Sequence, residues 1–195
     1  TENGMINFIS SEDILSDPTL LIKIFEESAT LKIPLSAEAK RLVREFSFLV
    51  DNKFSSSVLN LESFERILAQ PSSTFNVLNE MLNTTFLIRF IPEFKEISDR
   101  IQYDEYHLYP VDRHLLRIVQ NIKRFGISEG ISKYPLCSDL YKRLKKRHLL
   151  LWAALLHDIG KGETGVSHSI SGAKIAESIL LKKGYPAEDI ETVSF

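Results

Sequence analysis

The sequence predicts an all-α protein. Apolar residues recur at intervals of three and four along most of its 195 residues, and runs of strict alternation, the mark of a half-buried strand, are missing. Only 8 glycines and 7 prolines are present, too few to punctuate a many-stranded sheet with turns.

The elements follow in chain order. Asp17 and Pro18 form a helix start, with Asp17 as cap and Pro18 in the first turn, and Leu21, Ile24, Phe25 and Ser28 keep the helical period behind them. Pro34 interrupts the chain, and Ser36 is placed to cap a second helix that carries Leu42, Val43, Phe46 and Leu49. Further helices are expected over Ser57–Gln70, Ser73–Asn83 and Phe94–Gln102. This front part, residues 1–84, carries no cluster of catalytic or metal-binding residue types and reads as a helical linker or scaffold.

Chemistry gathers in residues 85–195. Val111, His114, Leu115, Ile118, Val119, Ile122 and Phe125 fall on one helical stripe, so His114 is expected to face inward. Leu149–Leu156 is apolar all round, as in a helix surrounded by others, and ends in His157-Asp158-Ile159-Gly160-Lys161, with Gly160 as the stop. After a polar loop, His168 opens another helix, and its place ahead of Gly172, Ile175 and Ile179 puts it on the buried face. The basic run Lys142–His148 reads as a solvated helix face.

Composition bounds the function classes. A 44% apolar and 26% charged chain with a formal net charge of −2 has the make-up of an ordinary soluble domain, with no general pull toward nucleic acid or anionic membrane. Cys137 is the one cysteine, so no intrachain disulfide can form, which fits a reducing cytoplasm; its turn-like setting predicts a buried or chemically neutral role. The longest apolar run falls far short of the roughly 20 residues a spanning helix needs. The first residues, TENGMINF, have no secretion-signal pattern and read as a cut into a longer chain.

Taken singly, an inward histidine is an ordinary core residue. Here a His-Asp pair ends an apolar helix and is followed by Gly-Lys, with one histidine on a helix before it and another after it. Helical bundles build metal sites from such inward residues. Imidazole and carboxylate suit divalent manganese, iron or zinc and, less well, magnesium. A metal held by His114, His157 and Asp158 lowers the pKa of water from about 15.7 to roughly 7, and Lys161 supplies a cation for developing phosphoryl charge.

This order of residues resembles the HD superfamily of metal-dependent phosphohydrolases. FIPEF (90–94), QYDEYHLYPVDRH (102–114), YPLCSDL (134–140), AALLHDIGKG (153–162) and HSISGA (168–173) are similar, more narrowly, to the HD domain of bacterial PII uridylyltransferase/uridylyl-removing enzymes. The resemblance implies an HD-like helical bundle behind an N-terminal helical extension. It also implies hydrolysis of uridylyl-tyrosine on the PII signalling protein with release of UMP, and neighbouring domains of the same polypeptide. Carried over, His114, His157 and Asp158 are metal ligands, Lys161 lies on the phosphate side, His168 is a further active-site histidine, and His107 serves the substrate or backs the ligands.

Two departures stand out. The chain reads YPVDRH where the family usually has YTVDEH, and Asn83–Leu87 replaces a glycine-containing turn. The family's distal aspartate is expected beyond Phe195; Asp189, at a helix start, is explained by the helix dipole instead. The expectation is a fragment inactive by itself. Two other readings compete: an HD hydrolase of free nucleotides, and a catalytically silent helical module.

Overall fold

A computed structural model describes residues 4–71, 75–98, 110–162 and 168–194. They form helices and short 3-10 turns. Among them no strand occurs, and extended pairing is limited to a parallel bridge between Ile6 and Leu35. The all-α expectation holds. Among the described residues no helix is long and apolar enough to cross a membrane. The chain separates into two compact units, Thr1–Pro92 and Glu93–Phe195.

The first unit is built from α1 (Ser11–Ser16), α2 (Leu20–Leu31), α3 (Ala37–Glu45), α4 (Asn52–Ser55), α5 (Val58–Ala69), α6 (Val77–Asn83) and α7 (Phe86–Phe90). Short polar side chains start several of these helices, as free N–H groups at a helix end require. Ser36 Oγ accepts from Ala39 N at 2.9 Å, the predicted cap of α3, and Asp51 and Asn76 do the same for α4 and α6. Asp17 accepts from Thr19 N at 3.1 Å just before α2. The α6 helix begins at Val77, later than the expected Ser73, because Asn76 supplies the cap; residues 72–74 lie outside the described set. Sequence reading missed α1 and α4, which are too short to show a period.

Phenylalanines from α2, α4, α5 and α7 make the core of this unit. Phe25 meets Phe86 at a centroid distance of 5.1 Å and Phe64 meets Phe90 at 4.7 Å, both with tilted rings in the favourable range. The glycine-less turn at 83–87 is accommodated by Thr85, which takes a left-handed conformation at φ 63°.

The second unit opens with the 3-10 segment Pro92–Ile97, whose first residue belongs to the preceding unit, where a longer helix to Gln102 had been expected; residues 99–109 lie outside the described set. Then come α8 (Val111–Lys123), α9 (Ser128–Lys133), α10 (Pro135–Arg143), α11 (Arg147–Leu156), α12 (His168–Lys182) and α13 (Ala187–Ser194). Helix α11 packs against α8 and α13, and α12 packs against α13 and the 3-10 turn Ile159–Gly162. Trp152 of α11 is fully buried and donates from Nε1 to Tyr185 Oη at 2.7 Å.

Several sequence-based placements are corrected. The buried face of α8 runs through Val111, Asp112, Leu115, Leu116, Val119, Gln120 and Lys123, so the stripe is rotated and His114, Ile118, Ile122 and Phe125 lie half-exposed on its rim. The Lys123 stem covers core that Ile122 was expected to fill. Helix α11 is not enclosed on every side, since Leu150 is exposed. The basic run spans the break between α10 and α11, not one helix face. Cys137 is exposed on α10, whose start at Pro135 is a proline-first signal that the turn reading passed over. Asp189 does more than favour a helix dipole: it is buried and pairs with Lys146 Nζ at 2.6 Å, tying α13 to the start of α11.

Candidate metal centre

Helix α11 ends at Leu156, and the chain turns at His157 and Asp158 into the tight Ile159–Gly162 segment. The turn points both side chains toward the N-terminal part of α8, where His114 lies in the first turns. His114, His157 and Asp158 form the one group of three among the described residues able to hold a metal ion, with ligand atoms all within 4.8 Å of one another.

The focus of the group is Asp158 Oδ2. His157 Nε2 stands 3.4 Å from it, His114 Nε2 3.8 Å, and Lys161 Nζ 3.0 Å. Atoms that share a tetrahedral cation at about 2.1 Å lie about 3.4 Å apart, so the spacing fits the donor set. His157 Nδ1 is 2.9 Å from the Ala154 carbonyl, which can only accept. Nδ1 therefore carries the proton, and in the neutral ring Nε2 holds the lone pair on the ligand side.

Electrostatics agree with the geometry. Partial burial pushes the Asp158 carboxyl up, but hydrogen bonds from His157 and Lys161, with their charges, outweigh it and hold the group well below the ordinary carboxylate range. The hydrogen bond to Asp158 raises His157 above its usual value; burial opposes this, and the Ala154 carbonyl adds to it.

His168 is exposed, contrary to its expected inward position. Its stripe continues into buried Gly172 and Ile179, but the first turn of α12 overruns the core, and the His168 carbonyl makes the close packing instead. A Cβ on Gly160 would lie 2.2 Å from that carbonyl oxygen and 2.5 Å from Gly172 N. Gly160 is thus required by close approach and not as a left-handed helix stop, since its φ is not positive. Gly162 is likewise pressed against Glu96, where a Cβ would meet the Glu96 Cβ at 2.8 Å. His107 falls outside the described residues.

Sequence reasoning missed the Ala154 carbonyl, which no side-chain pattern announces. It also missed the Gly160–Gly172 contact, of which Ser171-Gly172-Ala173 was the available sign.

The HD domain family matches residues 111–194, and the family described as the uridylyltransferase GlnD third domain matches residues 1–90. This chain carries an HD domain. Similar proteins include bifunctional uridylyltransferase/uridylyl-removing enzymes of Bordetella avium, 34% identical over 99% of this chain, and of Nitrosococcus oceani, 32% identical over 99%. That of Methylococcus capsulatus is 36% identical over 82% of the chain. The chain spans 23%, 22% and 18% of those relatives' lengths, respectively. The matched chain therefore corresponds to a portion of such longer enzymes.

Proposed function

We propose that the HD domain is a metal-dependent phosphodiesterase that removes UMP from the uridylyl-tyrosine of a PII protein. The observation that carries the reading is the convergence of His114, His157 and Lys161 on one oxygen of Asp158. It occurs in a chain similar to enzymes named for uridylyl removal.

His114 and His157 through Nε2, and Asp158 through Oδ2, would hold the cation. When bound, it supplies Lewis acidity and an activated water near neutral pH. Manganese, iron, zinc and magnesium all suit mixed nitrogen and oxygen donors to some degree, with magnesium the poorest match. Lys161, mostly buried beside Asp158, places a fixed ammonium where charge gathers on non-bridging phosphoryl oxygens. The Ala154 carbonyl keeps the His157 ring oriented. His168, exposed at the start of α12, is assigned to contact the substrate, and His107 is assigned a substrate or ligand-backing role from the family resemblance. A tyrosyl leaving group, with a pKa near 10, departs without a covalent enzyme intermediate.

The test is release of UMP from uridylylated PII with manganese present, with chelator, and with His157→Ala. Metal-dependent release that the variant loses supports the reading. Intact uridylylated PII alongside turnover of free nucleotides would move the assignment to a nucleotide hydrolase. No turnover of either would leave a binding module.

A further inference from the structure

We infer that the second unit carries a docking surface for an acidic, partly apolar segment of its protein substrate, centred on a pocket at the far end of α8 from the metal centre. The inference rests on the phosphodiester reading and names what else that substrate must present.

The pocket has a volume of about 230 Å³ and is walled by Asn121, Arg124, Phe125, Glu129, Lys133 and Tyr134. Phe125 and Tyr134 meet edge to face at 6.0 Å, and Lys133 Nζ lies 5.5 Å from the Tyr134 ring. Arg124 and Lys133 stand against the single carboxylate of Glu129, and this net positive lining between aromatic walls suits a carboxylate on a short apolar stem, while the volume suits one side chain. The backbone there is closely fitted: a Cβ on Gly130 would lie 2.0 Å from the Arg124 carbonyl oxygen, so only glycine lets α9 close one wall.

Two further observations select a polypeptide occupant. Beyond Tyr134, Leu136, Leu140 and Leu144 recur at every fourth residue and are 69%, 53% and 43% exposed. Residues 129–148 hold six lysines and arginines against Glu129 and Asp139, in a chain of net charge −2. Arg143 pairs with Asp139 and Lys146 with Asp189, yet the stretch stays basic. Exposed leucines beside basic residues call for acidic and apolar side chains together. A nucleic acid gives the leucines no partner, and a bilayer offers no side chain to fill the pocket.

The position ties the surface to the reaction. His114, Ile118 and Asn121 share one face of α8, so the pocket begins about 10 Å from the metal centre, the span of about three extended residues. One bound protein can set its phosphodiester at the metal centre and an acidic residue in the pocket.

The experiment compares the protein with the double variant Lys133→Glu/Leu140→Ser, both exposed positions away from the ligands. Affinity for uridylylated PII is read by biolayer interferometry at low and high salt, and turnover is read with the 4-nitrophenyl ester of UMP. The expected result is a roughly tenfold or greater loss of affinity in the variant, salt-weakened binding by the parent, and equal ester turnover. Unchanged affinity, no binding by the parent, or equal loss of ester turnover overturns the docking site. So does preferential capture of DNA or anionic vesicles through these residues. If the parent binds uridylylated PII through this surface but cleaves neither substrate, the phosphodiesterase reading fails while the docking site stands.

Discussion

Lys161 Nζ lies 3.0 Å from Asp158 Oδ2, the same oxygen toward which His114 and His157 direct their Nε2 atoms. The lysine is a counter-ion for the aspartate and not itself a ligand, because an ammonium has no lone pair. The two residues should therefore separate in experiment. Asp158→Asn is expected to weaken manganese binding by about 100-fold or more. Lys161→Met should keep the metal and lose about 100-fold in turnover. Equilibrium dialysis beside initial rates checks this, and loss of metal from Lys161→Met would refute the division of roles.

Gly160 and Gly172 make an asymmetric pair. Gly160→Ala drives a methyl into the backbone at 2.2 and 2.5 Å and should destabilise the second unit by about 2–3 kcal/mol, with weaker metal binding as Asp158 is displaced. Gly172→Ala meets Gly160 N at 3.4 Å, and the gain in helix propensity of about 1 kcal/mol should nearly offset the crowding. Thermal denaturation of the two variants would distinguish them. Equal losses would mean that the contact is looser than the geometry states.

Thr85 is exposed and β-branched at φ 63°, a region where a side chain is strained. Thr85→Gly removes the strain at the expense of unfolded-state entropy. A net gain of roughly 0.5–1 kcal/mol is expected in urea denaturation of the first unit, and a loss would show that the threonine makes a contact worth more than the strain.

Lys183 gives a pH dependence with a definite sign. Burial pushes its ammonium down to about 7, although the Glu93 charge acts the other way. Its unfolded value is about 10.4, so between about pH 7 and 10.4 the unfolded chain binds more protons and stability rises with pH. The full burden is present below pH 7. Lys183→Met should raise stability by roughly 1–3 kcal/mol at about pH 6 and by less at about pH 9. Buried Lys123, pushed down to about 8, adds a slope of the same sign that this substitution leaves in place. Equal gains at both pH values would exclude the titration.

Periodicity and caps made the all-α class and α3 legible, because a serine followed by helical spacing satisfies local donors whatever packs later. The His157-Asp158 pair was legible because it ends a strongly apolar run. The rotation of α8 was not: Lys123 counts as polar in any pattern, yet its stem is buried, and that moves His114 to the rim where it meets Asp158. The fate of His168 was hidden for a related reason. A stripe gives the face of a helix but not where the core beneath it ends.

Trp152 is the sole tryptophan, and all six tyrosines, from Tyr103 to Tyr185, follow it into the second unit's span of sequence, while residues 1–92 contain neither. The protein's near-ultraviolet absorbance and intrinsic emission are therefore a spectroscopic signature of the HD-bearing half. The buried indole, on the helix that leads into His157 and hydrogen-bonded to Tyr185 between α12 and α13, makes that signal sensitive to loosening around it. Emission can follow melting of this half, while far-ultraviolet circular dichroism follows both, so a mismatch between the two traces would resolve the halves without any added label.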